Sequence, residues 1–149
     1  MKIYDCFSYW DEDLLLDLRL NILNDFIDYF VIVEGNKTWQ NNFKKLRFDI
    51  NKLSKFKDKI IYIPVEDMPE GDNPYLRENH QRNCISRGLK NALENDLIII
   101  SDLDEIPNPQ ALKIFLLAWS MLFLNKNIFI TKLIYKVKKI HTGTVAEYV

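Results

Sequence analysis

The chain has 149 residues, of which 48% are hydrophobic and 28% charged, and this length and composition predict one folded domain and exclude a disordered chain. The formal net charge of −1 gives no indication of a nucleic-acid-binding protein. The charge is unevenly divided, because the first 110 residues hold 14 basic and 20 acidic side chains whereas residues 111–149 hold six lysines and one glutamate.

The first predicted elements alternate between strand and helix. Residues 2–7 predict a short strand, and the acids at residues 11–13 precede leucines at helical spacing, which predicts a well-buried helix with a broad apolar face. That face consists of Leu14, Leu15, Leu18 and Ile22, with Leu16, Leu20 and Leu23 on a neighbouring face. Residues 29–34 are a continuous apolar, β-branched run, which predicts a strand covered on both faces, as in a parallel sheet.

The middle of the chain continues this alternation. Residues 59–64 predict a third strand after a polar loop and a lysine-rich segment. Asp72 or Asn73 can cap a following helix that has Pro74 at its first position. We expect this helix to run to about Asn95.

The most hydrophobic strand is predicted at residues 97–100. The pair Asn108-Pro109 then starts another helix, and residues 128–135 predict one further strand. Strands that alternate with helices in this way predict an α/β fold with a mostly parallel sheet flanked by helices.

Signals for a compartment or a membrane are few. Cys6 and Cys84 have no metal-ligand spacing and are predicted to be core residues. The N-terminus lacks the apolar segment of a signal peptide, so we expect a cytoplasmic protein. The longest apolar stretch, residues 114–124, is shorter than the about 20 residues that a membrane-spanning helix needs. It leaves open peripheral membrane contact or a homodimer.

The clearest chemistry follows the strand predicted at residues 97–100. Asp102, Asp104 and Glu105 stand at its carboxyl end, where α/β sheets bind their ligands. Carboxylates this close together repel one another in the absence of a cation, and hard oxygen ligands favour Mg²⁺ or Mn²⁺. Such an ion can neutralise a diphosphate leaving group. The alternative interpretation is a solvated acidic turn that caps the next helix.

Two classes of enzyme carry an acidic strand end of this kind. One is the metal-dependent glycosyltransferase of the GT-A type, and the other is the haloacid-dehalogenase-like phosphatase. In the phosphatases a small pair of residues follows the second aspartate, whereas here Glu105-Ile106-Pro107 follows Asp104. The phosphatase motif also opens its domain, whereas this one lies two-thirds along the chain. Both differences disfavour the phosphatase.

A wider set of motifs resembles glycosyltransferase family 17, the family of the β-1,4-mannosyl-glycoprotein 4-β-N-acetylglucosaminyltransferases and their bacterial relatives. The resemblance covers about residues 1–115. The motifs are Asp5-Cys6-Phe7, Arg19-Leu20, Phe30-Val31-Ile32-Val33-Glu34 with Thr38, Lys59-Ile60-Ile61-Tyr62, Val65-Glu66-Asp67, Gln81-Arg82-Asn83 and Ser101-Asp102-Leu103-Asp104-Glu105-Ile106-Pro107.

The resemblance implies an inverting GT-A enzyme that uses a UDP-sugar, with N-acetylglucosamine as the implied sugar, and a divalent cation, Mn²⁺ or Mg²⁺. Asp102 and Asp104 would bind the metal and the diphosphate, and Glu105 would orient these two carboxylates without binding the metal itself. Arg82 would contact the carboxylates or the nucleotide; the alternative is an ion pair with Glu78 one helical turn away.

Two further donor-binding residues and the acceptor follow from the same resemblance. Phe7 and Glu34 end the first two strands, where a uridine would lie, although Phe7 also suits the core and Glu34 a turn. His80 is expected on a helix face. The implied acceptor is a glycan or a lipid-linked glycan, with cell-surface polysaccharide as the expected class in a bacterium, and no nucleic acid is expected as a partner.

The resemblance fades after about Phe115, which divides the chain into a nucleotide-sugar-binding part (1–115) and a basic C-terminal segment (116–149). An inverting transfer needs a base for the acceptor hydroxyl, and the only acid beyond Glu105 is Glu147, which has no motif around it. The catalytic base is therefore not identifiable. Two hypotheses remain: an active transferase, or a truncated or frame-shifted member that at most binds a nucleotide-sugar and metal, without catalysis.

Overall fold

The computed structural model describes the backbone of residues 1–124, 135–140 and 143–148 and the side chains of residues 1–118. All four strands predicted before residue 101 are present, as are the three predicted helices. In chain order the elements are β1 (Ile3–Ser8), α1 (Asp13–Leu23), β2 (Tyr29–Gly35), a 3₁₀ helix (Ile50–Lys59), β3 (Ile60–Val65), α2 (Pro74–Asn83), a second 3₁₀ helix (Cys84–Gly88), β4 (Leu97–Ile100), α3 (Pro109–Leu124), β5 (Tyr135–Ile140) and β6 (Gly143–Tyr148).

The strands form one sheet in the order β3-β2-β1-β4-β6-β5. The first four strands are parallel to their neighbours, β6 continues the parallel run beside β4, and β5 is antiparallel at the edge. This confirms the predicted mostly parallel α/β fold, which is Rossmann-like. The chain moves from β1 outward to β3 and then returns to place β4 on the other side of β1. The carboxyl ends of β1 and β4 therefore flank the switch point of the topology, where such folds bind ligands.

Side chains alternate between the two faces of the sheet, and each face has its own apolar core. One core lies under α1, the first 3₁₀ helix and α3, and the other lies under the second 3₁₀ helix and the residues that follow it. Cys6 and Cys84 are both buried in the second core, as predicted. The central strands carry apolar side chains on both faces because helices cover both faces.

The broad buried face predicted for α1 is confirmed only in part. Leu14, Leu18 and Ile22 are exposed, with Leu14 at 85%, whereas the neighbouring face packs on the sheet. The buried residues of the helix are Leu16, Arg19, Leu20 and Leu23. An arginine thus occupies the middle of the buried face, which a pattern of apolar residues alone does not reveal.

The start of α2 is as predicted, but its end is not. Asn73 accepts a hydrogen bond from the amide of Tyr75, and Pro74 occupies the first helical position. The α-helix ends at Asn83 rather than near Asn95 and continues as a 3₁₀ helix to Gly88. Gly88 lies so close to β2 that a Cβ there would be 2.6 Å from Cγ1 of Val31, and this close approach suits the tighter 3₁₀ turn.

The C-terminal part of the chain is described only in part. The strand predicted at residues 128–135 lies outside the described residues except for Tyr135, which begins β5. In the described part of the chain, no helix has both the length and the apolar character needed to cross a membrane.

Candidate functional site

A cleft of about 560 Å³ opens at the switch point, where β1 and β4 end side by side. The loops after these two strands and one side of α2 supply most of the residues that line the cleft. A second, mainly apolar cavity of about 360 Å³ lies between β4 and α3. The residues that line the larger cleft are Ser8, Tyr9, Trp10, Glu12, Leu15, Trp39, Glu78, Gln81, Arg82, Asp102, Leu103 and Asp104.

The turn after β4 presents two aspartates to this cleft. Leu103 is buried at 6% exposure, so that the residues on either side of it, Asp102 and Asp104, are exposed. The amide of Glu105 donates to the carbonyl of Asp102 (3.0 Å), and the carboxylate of Glu105 accepts from the amide of Asp102 (3.2 Å). Glu105 therefore stabilises the turn from its exposed side and does not line the cleft.

Arg82 makes both of the contacts that the sequence left as alternatives. Its guanidinium donates to Oδ1 of Asp102 at 3.0 Å, and it lies 3.7 Å from the carboxylate of Glu78 one turn earlier on α2. The shorter distance belongs to Asp102, so the structure joins Arg82 to the acidic turn across the cleft. Arg82 thus neutralises part of the negative charge of the turn, and its hydrogen bond to Asp102 uses Oδ1 rather than Oδ2.

The donor atoms on the turn suit a divalent cation. In the part of the chain whose side chains are described, the carboxylate of Asp104 makes no hydrogen bond or ion pair, and Asp102 accepts its one side-chain hydrogen bond, from Arg82, at Oδ1. Two carboxylates in an open cleft, with room for water or phosphate oxygens, match the preference of Mg²⁺ and Mn²⁺ for few protein oxygens and several others. Asp102 and Asp104 would hold such an ion.

A different set of possible ligands lies outside the cleft. Within the described residues, the ligand atoms of Asp67, His80 and Cys84 lie within 4.8 Å of one another. Asp67 is already bound in a fork by Arg87 at 2.8 and 2.6 Å, and these hydrogen bonds lower the pKa of the Asp67 carboxyl. Burial raises the pKa of the Cys84 thiol, which opposes the thiolate form that binds metals. The aspartate turn is thus the better candidate for a cation.

Phe7 and Glu34 do not reach the cleft. Phe7 is fully buried and lies beneath the guanidinium of Arg19, whose central carbon is 4.6 Å from the ring centroid. Glu34 is also fully buried at the end of β2. The structure therefore joins Arg82, Asp102 and Asp104 of the predicted donor-binding residues and keeps these two inside the protein.

The buried Glu34 carboxylate binds four donors from the segment that follows β2 and from β3. It accepts hydrogen bonds from the amides of Arg47 (2.8 Å) and Phe48 (3.0 Å) and from the Tyr62 hydroxyl (2.9 Å), and it pairs with the ammonium of Lys44. Burial and the bond to Glu34 raise the pKa of Tyr62, so this hydroxyl stays protonated and able to donate at neutral pH. Glu34 thereby ties residues 44–48 to the sheet.

Two tryptophans form an aromatic wall of the cleft that sequence reasoning missed. The rings of Trp10 and Trp39 lie 6.0 Å apart, and the ammonium of Lys44 lies 5.1 Å from the Trp10 ring centroid. Arg77, which is buried, donates to the Trp39 carbonyl and fixes that loop. The sequence did offer a signal for Trp10, because this residue lies two positions after the end of the first strand, where α/β folds bind ligands. No local pattern indicates that Trp39 lies beside it.

Comparison with known proteins identifies a family match along most of the chain. The model of glycosyltransferase family 17 matches residues 1–135. The β-1,4-mannosyl-glycoprotein 4-β-N-acetylglucosaminyltransferases of Homo sapiens and Rattus norvegicus are each 32% identical to this chain over 104 residues, which cover 62% of the chain and 19% of either relative. The chain thus matches about a fifth of the length of these curated relatives. No solved structure matches it.

Proposed function

The chain belongs to glycosyltransferase family 17, and on that basis we propose that it transfers a sugar from a UDP-sugar to a glycan or lipid-linked glycan acceptor, with a divalent cation and with inversion at the sugar. The N-acetylglucosaminyltransferase relatives support N-acetylglucosamine as the sugar. Mn²⁺ or Mg²⁺ is the proposed cation. The proposal concerns this chain, which spans only a part of the length of those relatives.

The observation that carries the proposal is the pair of aspartates at the switch point. Asp104 offers a carboxylate without a protein partner among the described side chains, and Asp102 offers one oxygen beyond its bond to Arg82. A bound cation would supply the positive charge that stabilises a departing diphosphate. In this proposal Asp102 and Asp104 bind the ion. Arg82 orients Asp102 through its hydrogen bond, and Glu105 stabilises the turn.

The aromatic wall supports a ring-shaped ligand beside the acidic turn. Indole faces stack on nucleobases, and Trp10, two residues after β1, lines the same cleft as the turn that follows the neighbouring strand β4. A uridine stacked on Trp10 would place its diphosphate toward the aspartates. Trp39 would then line the part of the cleft nearer to α2.

The experiment that tests this function is a calorimetric titration of the wild-type chain with UDP, in the presence of Mn²⁺ and again with excess chelator. We expect UDP to bind with Mn²⁺ and to bind much more weakly without it, while GDP is the control for the base. Release of UDP from UDP-N-acetylglucosamine with a panel of glycan acceptors then separates transfer from donor binding alone. Absence of UDP binding in the presence of Mn²⁺ would contradict the proposal.

We expect Trp10→Ala to weaken Mn²⁺-dependent UDP binding about tenfold, which corresponds to about 1.4 kcal/mol and lies within the range measured for base stacking on an aromatic ring. Trp10→Phe should retain most of the affinity because a smaller ring still offers a face. Tyr75→Ala removes an exposed aromatic side chain that does not line the cleft and is the control. Equal affinities of the wild type and Trp10→Ala would exclude stacking on this ring.

A further inference from the structure

Arg19 is a fully buried cation in the middle of α1, and its guanidinium uses all of its donors. Its Nε and Nη2 donate to the two oxygens of Asp5 on β1 at 2.9 and 2.8 Å, and neither side chain is exposed to solvent. Burying two charges costs several kcal/mol per ion unless their geometry and remaining hydrogen bonds compensate. The pair with Asp5 satisfies only part of the guanidinium.

The remaining donors of Arg19 all point at the turn that carries the two aspartates. Its Nη1 donates to the carbonyls of Asp102 (2.7 Å) and Leu103 (3.0 Å), with a longer contact to that of Glu105 (3.3 Å). Its Nη2 donates to Oγ of Ser101 at 2.6 Å. The guanidinium of Arg19 thus binds three carbonyls and one hydroxyl of residues 101–105, and it connects this turn to α1 and, through Asp5, to β1.

We propose that Arg19 is a positioning residue for the donor site, which it acts on through the backbone of the turn at residues 101–105. The expected effect of Arg19 on UDP and cation binding rests on the proposed function. Its expected effect on the backbone of the turn does not depend on that function. By anchoring carbonyls on the buried side of the turn, Arg19 directs the Asp102 and Asp104 side chains into the cleft. Groups that orient metal ligands in this way strongly affect metal affinity.

A simpler role for Arg19 would be to balance the charge of Asp5. The two roles differ in what a lysine could do at this position. A lysine ammonium can pair with the Asp5 carboxylate, but it is a single point charge and cannot also span three carbonyls and a hydroxyl in one plane. Charge balance therefore predicts that Arg19→Lys keeps the turn intact, whereas positioning predicts that the turn loosens.

The test compares Arg19→Lys with Leu23→Ala. Leu23 is fully buried on the same helix and makes no hydrogen bond to the turn through its side chain, so it is the control for a general loss of stability. We expect Arg19→Lys to increase hydrogen exchange at the amides of residues 102–106 beyond any change elsewhere, and to weaken Mn²⁺-dependent UDP binding about tenfold or more. Leu23→Ala should show neither selective effect at a temperature where both variants are folded.

Unchanged exchange at residues 102–106 in folded Arg19→Lys would overturn the inference. Selective loosening of the turn in a chain whose wild type binds no UDP would refute the proposed function and leave the anchoring of the turn established. If Arg19→Lys does not fold, Ser101→Ala removes one acceptor of the guanidinium while the Asp5 pair stays intact, and it also removes the hydrogen bond from Oγ of Ser101 to the Glu105 carbonyl. We then expect a smaller increase of exchange in the same residues, and no increase would again overturn the inference.

Discussion

Asp104→Asn is expected to abolish the dependence of UDP binding on Mn²⁺ and to lower the affinity about a hundredfold, which corresponds to about 2.7 kcal/mol. The substitution keeps the shape of the side chain and removes its negative charge. Since the carboxylate has no other partner among the described side chains, the loss reports the missing interaction with the cation rather than a broken contact in the protein. Calorimetry with and without Mn²⁺ measures the effect.

The control for this prediction is the same substitution at an exposed acid outside the cleft. Asp72→Asn changes the net charge equally and should leave UDP binding unchanged. Both variants should unfold within about 0.5 kcal/mol of the wild type, because surface substitutions away from buried contacts rarely change stability more. Metal-dependent UDP binding by Asp104→Asn at the affinity of the wild type would contradict the assignment of Asp104 as a cation ligand.

The second large effect is expected for stability, at Glu34. Glu34→Gln should lower the free energy of unfolding by about 3–5 kcal/mol, the loss that follows when one partner of a buried ion pair is removed. Lys44 is left as a buried cation without its counter-ion, and the neutral amide is a weaker acceptor for the amides of Arg47 and Phe48. Urea unfolding followed by circular dichroism measures the change.

A matched surface pair gives the control for Glu34. Glu70 also pairs with a lysine, Lys37, but its side chain is 79% exposed, so Glu70→Gln should cost at most about 1 kcal/mol. Tyr62→Phe removes one hydrogen bond of Glu34 and is expected to cost about 1 kcal/mol. A loss for Glu34→Gln no larger than that for Glu70→Gln would show that the buried carboxylate does not stabilise the fold.

The effect of Glu34 should also reach the cleft, although the residue does not line it. The Lys44 ammonium lies between the Glu34 carboxylate and the Trp10 ring, so Glu34 holds the cation against which Trp10 packs. The resemblance predicts that Glu34 contacts a uridine. In the structure Glu34 instead binds Lys44, which packs against Trp10.

The sequence by itself determined where the strands lie, where the helices start and that an acidic turn follows β4. β-Branched runs such as residues 29–34 form strands wherever they can be covered, and Asn73-Pro74 starts a helix through contacts within one turn. The rule that ligands bind at strand ends predicts Asp102 and Asp104 as site residues, and in the structure both line the cleft. Each of these inferences needs only neighbours in the chain and the periodicity of the backbone.

Only the tertiary structure decided which polar residues are buried and what they hold. Arg19 and the carbonyl of Asp102 are 83 residues apart in the chain, and the broad apolar face predicted for α1 did not include Arg19. Trp10 and Trp39, and Arg82 and Asp102, likewise meet only through the order of the strands. The physical reason is that a buried charge is stable only where partners from several elements converge, and that convergence is a property of the packed sheet and helices.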